Sequence, residues 1–119
     1  MNKQLIIERE RKRTAKILED MVKSKSRYLR FLLKLLIKKP KAHPSWIEVM
    51  TAKINDMYLD WKDTCRWLKK RGLMTADPHM PDYSAILWRI VELRKHGATQ
   101  KTLLHELSVA MKPWPRSYW

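Results

Sequence analysis

The stretch SWIEVMTAKINDMYLDWKDTCRWLKKRG, residues 45–72, carries the clearest periodicity in the chain. Its apolar residues recur at steps of three and four, which is the spacing of one face of an α-helix. They are Ile47, Met50, Ile54, Met57, Tyr58, Trp61, Cys65 and Leu68. Ser45 with Glu48 three residues later is typical of a capping box, and Gly72 after a basic last turn is typical of a helix C-cap. We therefore predict a long amphipathic helix over 46–71.

The sequence before this helix predicts a basic N-terminal helical region over 3–38. Residues 3–23 have one apolar stripe among charged residues, and residues 27–38 are apolar nearly all round, which is typical of the buried centre of a bundle. Ser24 and Ser26 lie between the two segments. Because serine favours caps and turns, one bent helix and two separate helices both remain open.

Proline and glycine mark the other boundaries. Prolines 40 and 44 stop helix formation twice, which predicts a loop over 39–45. A hairpin of two helices is predicted over 83–111, with Asp82 as the cap of its first helix, Gly97 at its turn and Thr99 as the cap of its second helix. The remaining residues, 112–119, contain two prolines and two tryptophans and predict an irregular tail.

Composition supports an all-α fold. The chain has only 2 glycines in 119 residues, whereas hairpin turns and phosphate-cradling loops need glycine repeatedly. No segment alternates convincingly between apolar and polar residues. We predict a compact single-domain bundle of about five helices over residues 1–119, with an irregular Pro/Trp tail at its C-terminal end.

The charge is concentrated at the N-terminal side of the chain. Residues 1–41 hold 14 of the 26 Lys and Arg but only 4 of the 12 Asp and Glu, which leaves +10 of the net charge of +14. Such an excess on a helical region predicts a polyanionic partner, and we favour DNA over RNA. The candidate phosphate contacts here are Arg9, Arg11, Lys12, Arg13, Lys16, Lys23, Lys25, Arg27, Arg30, Lys38, Lys39 and Lys41.

A second feature is the stretch ILWRIVELRKHGATQKTLLHELSVA, residues 86–110. It resembles the first two helices of a helix-turn-helix unit of the resolvase and transposase type, and the resemblance implies DNA binding. The matching residues are Leu93, Arg94, Gly97, Thr99, Gln100, Leu103 and Leu107. Pro113 and Pro115 forbid an ordinary third, base-reading helix, so we expect a grip on the phosphate backbone instead. Further candidate contacts on this side are Arg94, Lys95, Lys101 and Arg116.

Two functions follow as hypotheses. The first is a non-enzymatic DNA-binding protein, a small transcription regulator or accessory factor of the size and charge that would suit a phage or mobile element. The alternative is a helical adaptor or inhibitor that binds an acidic protein surface, anchored by Trp114, Tyr118 and Trp119. The tail could instead pack on the bundle, and the hairpin could serve packing alone.

Catalysis and metal binding have little support in the residues. The four histidines lie in separate segments, and Cys65 on an apolar stripe is typical of a core residue. Asp56, Asp60 and Asp63 share one helix face, but lysines on the same helix can pair with them. We therefore expect no enzyme activity, no metal and no cofactor.

The same composition predicts a cytoplasmic protein that does not enter a membrane. The N-terminus lacks the layout of a signal peptide, and the longest apolar stretch is interrupted by Arg30 and Lys34. A single cysteine suggests a reducing compartment. The oligomeric state stays open, although the stripe over 46–71 could serve a two-fold dimer.

Overall fold

The computed structural model describes residues 2–39, 43–73 and 80–119 of the chain. It contains α1 (Lys3–Ile37), α2 (Pro44–Lys70), α3 (Tyr83–Lys95), α4 (Gln100–Met111) and a C-terminal 3-10 turn (Arg116–Tyr118). The described residues contain no strand, which confirms the all-α class. Within the described residues the α-helices number four rather than about five, because the two predicted N-terminal segments form one unbroken helix of 35 residues.

Ser26 explains why α1 does not break in its middle. This serine is fully buried, and its hydroxyl donates a hydrogen bond of 2.8 Å to the carbonyl oxygen of Tyr118. The Tyr83 hydroxyl lies 2.7 Å from the same Ser26 oxygen and 2.9 Å from the Ser26 carbonyl oxygen. Because its polar atoms bond to other elements, Ser26 joins α1 to the core instead of ending it.

The predicted long helix is present as α2, with a different start. His43 is the N-cap, and its ring nitrogen Nδ1 accepts a hydrogen bond of 3.2 Å from the amide of Ser45. Pro44 occupies the first helical position, which suits a residue without an amide hydrogen. The predicted capping box of Ser45 and Glu48 is therefore wrong by two residues. The C-cap prediction is confirmed, since Gly72 has φ of 71° and the helix closes there.

The core lies between the C-terminal half of α1 and the other three helices. Its fully buried members include Leu33 and Ile37 of α1, Ile54 of α2 and Leu87 of α3. Ile54, Tyr58, Trp61 and Cys65, from the α2 stripe, are all buried in this core. The stripe over 46–71 is thus used within the chain. A two-fold dimer through the same stripe would require these core contacts to open.

The hairpin of α3 and α4 is confirmed in its details. Asp82 caps α3 by accepting a hydrogen bond from the amide of Ala85, and Gly97 at the turn has φ of 83°. Thr99 caps α4 by accepting a hydrogen bond of 3.2 Å from the amide of Thr102. These are the residues that the sequence assigned to the turn.

The molecule is elongated, with extents of 64 × 25 × 16 Å. Residues 3–17 of α1, the N-terminal arm, project beyond the core and contain no buried residue. The first buried side chains of α1 are Leu18 and Val22. The compact bundle predicted from the sequence therefore describes the core, while the arm extends from it.

Candidate nucleic-acid interface

One side of α1 carries a continuous row of basic residues. Because α1 is unbroken, residues separated by three and four positions lie on the same side along its whole length. This row, the basic face, consists of Arg9, Lys12, Lys16, Lys23, Arg27, Arg30 and Lys34. From Arg9 to Lys34 it extends about 37 Å at 1.5 Å per residue. Glu19 and Asp20 are the acids that interrupt it.

Six of these seven residues were predicted from the sequence, and Lys34 was missed. Lys34 lies within the segment 27–38, which was expected to form the buried centre of the bundle apart from Arg27, Arg30 and Lys38. It is half-buried, and it continues the basic face one step beyond Arg30. Its four-residue spacing from Arg30 was the available signal, and this signal becomes usable once the helix is known to be unbroken.

Three other candidates on α1 lie away from the basic face. Lys25 lies on the side of the core, with its Nζ 5.9 Å from the ring centre of Trp61. Arg11 shares that side, seven residues before the buried Leu18. Arg13 lies at the edge of the face and makes an exposed ion pair of 3.8 Å with Glu10.

The two halves of the basic face differ in their partners. In the core half, Arg27 donates a hydrogen bond of 2.6 Å to the carbonyl oxygen of Ser117, and Arg30 donates one of 3.4 Å to the main-chain oxygen of Trp119. In between, Lys23 makes an ion pair of 3.2 Å with Glu19. Arg9, Lys12, Lys16 and Lys34 have neither an ion pair nor a hydrogen bond through their side chains within the described residues. Most of the uncommitted charge therefore lies on the arm.

The C-terminal tail packs onto the core half of this face. Trp119 lies between two guanidinium groups, with Arg30 at 5.4 Å and Arg116 at 4.0 Å from its ring centre. Its indole Nε1 donates a hydrogen bond of 3.1 Å to the carbonyl oxygen of Trp114. The Trp114 and Tyr118 rings are 5.4 Å apart. The three residues predicted to bind a partner thus contact one another, and Tyr118 and Trp119 also contact α1. The sequence had left open whether the tail packs on the bundle.

Arg94 of the hairpin is used inside the molecule. Its guanidinium donates hydrogen bonds of 2.9 Å to the carbonyl oxygen of Leu36 and 2.7 Å to that of Lys39. These carbonyls lie at the C-terminal end of α1, where cationic donors satisfy unpaired backbone oxygens. Arg94 therefore joins α1 to α3. Both of its terminal guanidinium nitrogens already donate hydrogen bonds within the protein.

The remaining predicted contacts are scattered over the surface. Lys38, Lys95 and Lys101 are exposed at the ends of three different helices. The Nζ of Lys39 lies 5.2 Å from the ring centre of Trp46. Lys41, the last predicted contact of this loop, lies outside the described residues. These lysines extend the positive charge without adding to the row on α1.

The part of the chain after α4 has no base-reading helix. The helix α4 ends at Met111, and the amide of Trp114 bonds to the carbonyl oxygen of Met111 in a turn. A single 3-10 turn is the regular structure in residues 112–119, all of which are described. The two prolines act as predicted, since they lack amide hydrogens at the positions where a third helix would begin.

Three buried titratable side chains have raised pKa values. Burial raises the pKa of the Cys65 thiol, so the reactive thiolate is disfavoured. Burial also raises the pKa of Tyr58 and that of Tyr83 to about 12, and the negative charge of Asp82 adds to the effect at Tyr58. Within residues 2–39, 43–73 and 80–119, no three His, Cys, Asp or Glu side chains come together as metal ligands would.

Comparison with known proteins gives no significant match. No protein-family model, no curated protein and no solved structure is significantly similar to this chain. Among the helices that the structure describes, none combines the length and the apolar content needed to cross a bilayer.

Proposed function

We propose that this protein is a non-enzymatic DNA-binding protein that grips the phosphate backbone of a duplex through the basic face of α1. The single observation that carries the proposal is the alignment of seven Lys and Arg side chains along one unbroken helix. Phosphates repeat along DNA, so a row of cations at a regular spacing can meet several of them at once. The role that fits this chemistry is that of a small regulator or accessory factor.

The free cations of the arm provide the first contacts. Arg9, Lys12 and Lys16 lie on a segment that projects from the core, and their side chains have no ion pair within the described residues. Exposed cations of this kind bind phosphate without first breaking an internal contact. Arg27 and Arg30 would join only after leaving the tail oxygens, which makes their contribution smaller.

The hairpin of α3 and α4 has a supporting role in this proposal. Arg94 and the core hold the end of α1, so the basic face keeps a fixed direction relative to the rest of the molecule. Without a helix after Met111 to enter the major groove, affinity comes mainly from phosphates and depends little on base sequence. The resemblance of residues 86–110 to a helix-turn-helix unit therefore adds no base-reading contact to the proposal.

Charge reversal on the arm tests the proposal. The variant Lys12→Glu/Lys16→Glu should lose at least about tenfold in affinity for a labelled DNA duplex of about 20 base pairs, measured by fluorescence anisotropy. Both residues are exposed and far from the core, so circular dichroism should be unchanged. Binding by the wild type should weaken steeply between about 50 and 200 mM salt, because each neutralised phosphate releases a condensed counterion.

A matched control separates the basic face from total charge. Lys53→Glu/Lys70→Glu changes the net charge by the same amount at two exposed positions of α2. This control should retain most of the affinity. Equal losses in the two variants, or binding by the wild type that ignores salt, would reject the interface. Duplex RNA and single-stranded DNA of equal length should bind more weakly than duplex DNA.

The alternative function of an adaptor anchored by the tail has less support. Trp119 is held by the guanidinium groups of Arg30 and Arg116, and Tyr118 packs against the core. A partner that used these rings as anchors would first have to displace the tail from α1.

A further inference from the structure

A third side of α1 is apolar and uncovered. It lies between the basic face and the side that packs on the core, and we call it the heptad stripe. Its positions are Ile7, Glu10, Thr14, Ile17, Met21, Ser24, Tyr28, Phe31 and Leu35. Four of its side chains are largely in solvent, with exposed fractions of 53% for Ile17, 44% for Met21, 42% for Tyr28 and 56% for Phe31.

The spacing of the stripe is that of a coiled coil. Its positions alternate strictly between steps of three and four residues from Ile7 to Leu35, over about four heptads. A stripe of this kind fits a second straight helix of similar length, about 42 Å at 1.5 Å per residue. Most of the stability of a helix in a protein comes from packing of its apolar face, so a partner on the stripe would stabilise the arm.

We propose that the heptad stripe binds a second copy of this chain, with the two α1 helices antiparallel around a two-fold axis. The axis passes between Ile17 and Met21. The arm of each copy then lies against the exposed stripe on the core half of the other. This interface is isologous, because the same surface contributes from both copies.

The stripe is complementary to itself from Ile7 to Phe31 in this alignment, and Leu35 lies opposite Lys3. Ile17 of one copy meets Met21 of the other and Ile7 meets Phe31, so apolar side chains face each other. Thr14 meets Ser24, which places two small hydroxyl side chains in one layer.

Glu10 decides between the two orientations. In the antiparallel alignment it meets Tyr28, whose hydroxyl can donate to its carboxylate. In a parallel alignment in register, Glu10 would face Glu10 of the other copy, and two carboxylates in one layer repel each other.

Charge at the border of the stripe gives the dimer a distinctive salt dependence. Arg13 of one copy comes near Arg27 of the other in the antiparallel alignment, so like charges flank the apolar contact. Salt screens this repulsion. The dimer should therefore tighten as salt rises, in the direction opposite to phosphate binding.

Sedimentation equilibrium on the whole chain under reducing conditions, without nucleic acid, tests the proposal. The wild type should be a dimer with a dissociation constant that falls as salt increases. Ile17→Glu/Phe31→Glu should weaken dimerisation at least about tenfold, because charges in the apolar layer must be desolvated. Val49→Glu/Val109→Glu adds the same charge at two exposed valines of other helices and should leave the dimer unchanged.

Cysteine cross-linking tests the orientation. Chains with Thr14→Cys should form a disulfide with chains carrying Ser24→Cys, since these positions share a layer only in the antiparallel dimer. The wild-type chain, whose one cysteine is buried, is the background control. Linkage of Ser24→Cys chains to each other in preference to the mixed pair would overturn the antiparallel arrangement.

Several results would overturn the dimer itself. A wild type that stays monomeric at roughly 100 µM would overturn the dimer, because an apolar interface of this length should give a dissociation constant below that concentration. Equal weakening by the stripe and control variants would also reject it. Flotation of a monomeric protein with anionic lipid vesicles, or binding of the monomer to an acidic amphipathic helix, would identify a different occupant. No outcome depends on whether the chain binds DNA.

Discussion

The two halves of α1 have the same pattern and different surroundings. Both the arm, residues 3–17, and the core half, residues 18–37, carry the basic face and the heptad stripe. Every buried residue of α1 lies in the core half. A lack of apolar residues in the arm does not explain this difference in burial. The arm contains Leu5 and Ile7, and both are about half exposed. The neighbours α2, α3 and α4 explain it, since burial requires an opposing surface.

The largest expected effect is on the free energy of unfolding when a large apolar side chain is replaced by alanine in each half of α1. Leu33→Ala should lower the free energy of unfolding by about 2–5 kcal/mol, because it leaves a cavity at a fully buried position. Ile17→Ala on the arm should change it by less than about 0.5 kcal/mol. Urea unfolding followed by circular dichroism, at a protein concentration where the chain is monomeric, measures both. Similar losses in the two variants would mean that the arm belongs to the cooperative core.

A smaller effect is expected where the core half is joined to α3. Tyr83→Phe removes the hydroxyl that lies between the two Ser26 oxygens and should cost about 1–3 kcal/mol. Tyr28→Phe, at an exposed position on the same helix as Ser26, is the matched control and should be neutral in urea unfolding at a concentration where the chain is monomeric. A neutral Tyr83→Phe would show that Ser26 is satisfied without the tyrosine.

Alkaline pH should weaken the core half through its tyrosines. In the folded chain the pKa of Tyr58 and of Tyr83 is about 12, while the unfolded chain loses these protons near the ordinary value of 10.0. The unfolded state then binds fewer protons than the folded state, so the free energy of unfolding falls as pH rises from about 10 to 12.

Titrating tyrosine-to-phenylalanine variants isolates this effect from the loss of lysine charge. Tyr58→Phe should show a shallower fall in stability than the wild type across the same pH range, measured by urea midpoints. Identical pH profiles would show that the hydroxyl of Tyr58 remains in water.

The smallest effects are expected at the helix caps. Here the cap at the free end of the arm is compared with the cap of α4, a helix that packs in the core. Asn2 caps the arm by accepting a hydrogen bond of 3.0 Å from the amide of Gln4, and Thr99 caps α4 within the core region. Thr99→Ala should cost about 1 kcal/mol of global stability. Asn2→Ala should fray the first turn and leave the urea midpoint unchanged. A loss of midpoint in Asn2→Ala would show that the arm unfolds together with the core.

Local signals in the sequence were enough for most of the fold. The α2 stripe, the Gly97 turn and the Asp82 and Thr99 caps depend on neighbours within a few residues, so spacing and residue type reveal them. The continuity of α1 was not accessible in this way. Serine alone favours a break as much as a helix, and the partner of the Ser26 hydroxyl, Tyr83, lies 57 positions away.

The sequence predicted which basic residues could form the candidate interface, but it predicted their arrangement in space only in part. The charge of residues 1–41 indicated a polyanion, and the spacing of Arg9, Lys12 and Lys16 placed them together. Sequence could not foresee that Arg94 donates to α1 or that Arg27 donates to the tail, because both contacts join segments far apart in the chain. Long-range pairing of this kind leaves no local periodicity.

Because α1 is unbroken, the number of residues between the arm and the core determines the direction in which the side chains of the arm point. One residue inserted at position 17 would turn everything before it by about 100° about the helix axis, while the core stayed as it is. The basic residues of the arm would then point to a different side from Lys23 and Lys34. Seven inserted residues would nearly restore the direction, because two turns of the helix return to within about 20° of it. The rotation of the helix about its axis is fixed where Leu18 becomes buried in the core. This rotation therefore determines the direction of the basic residues on the arm.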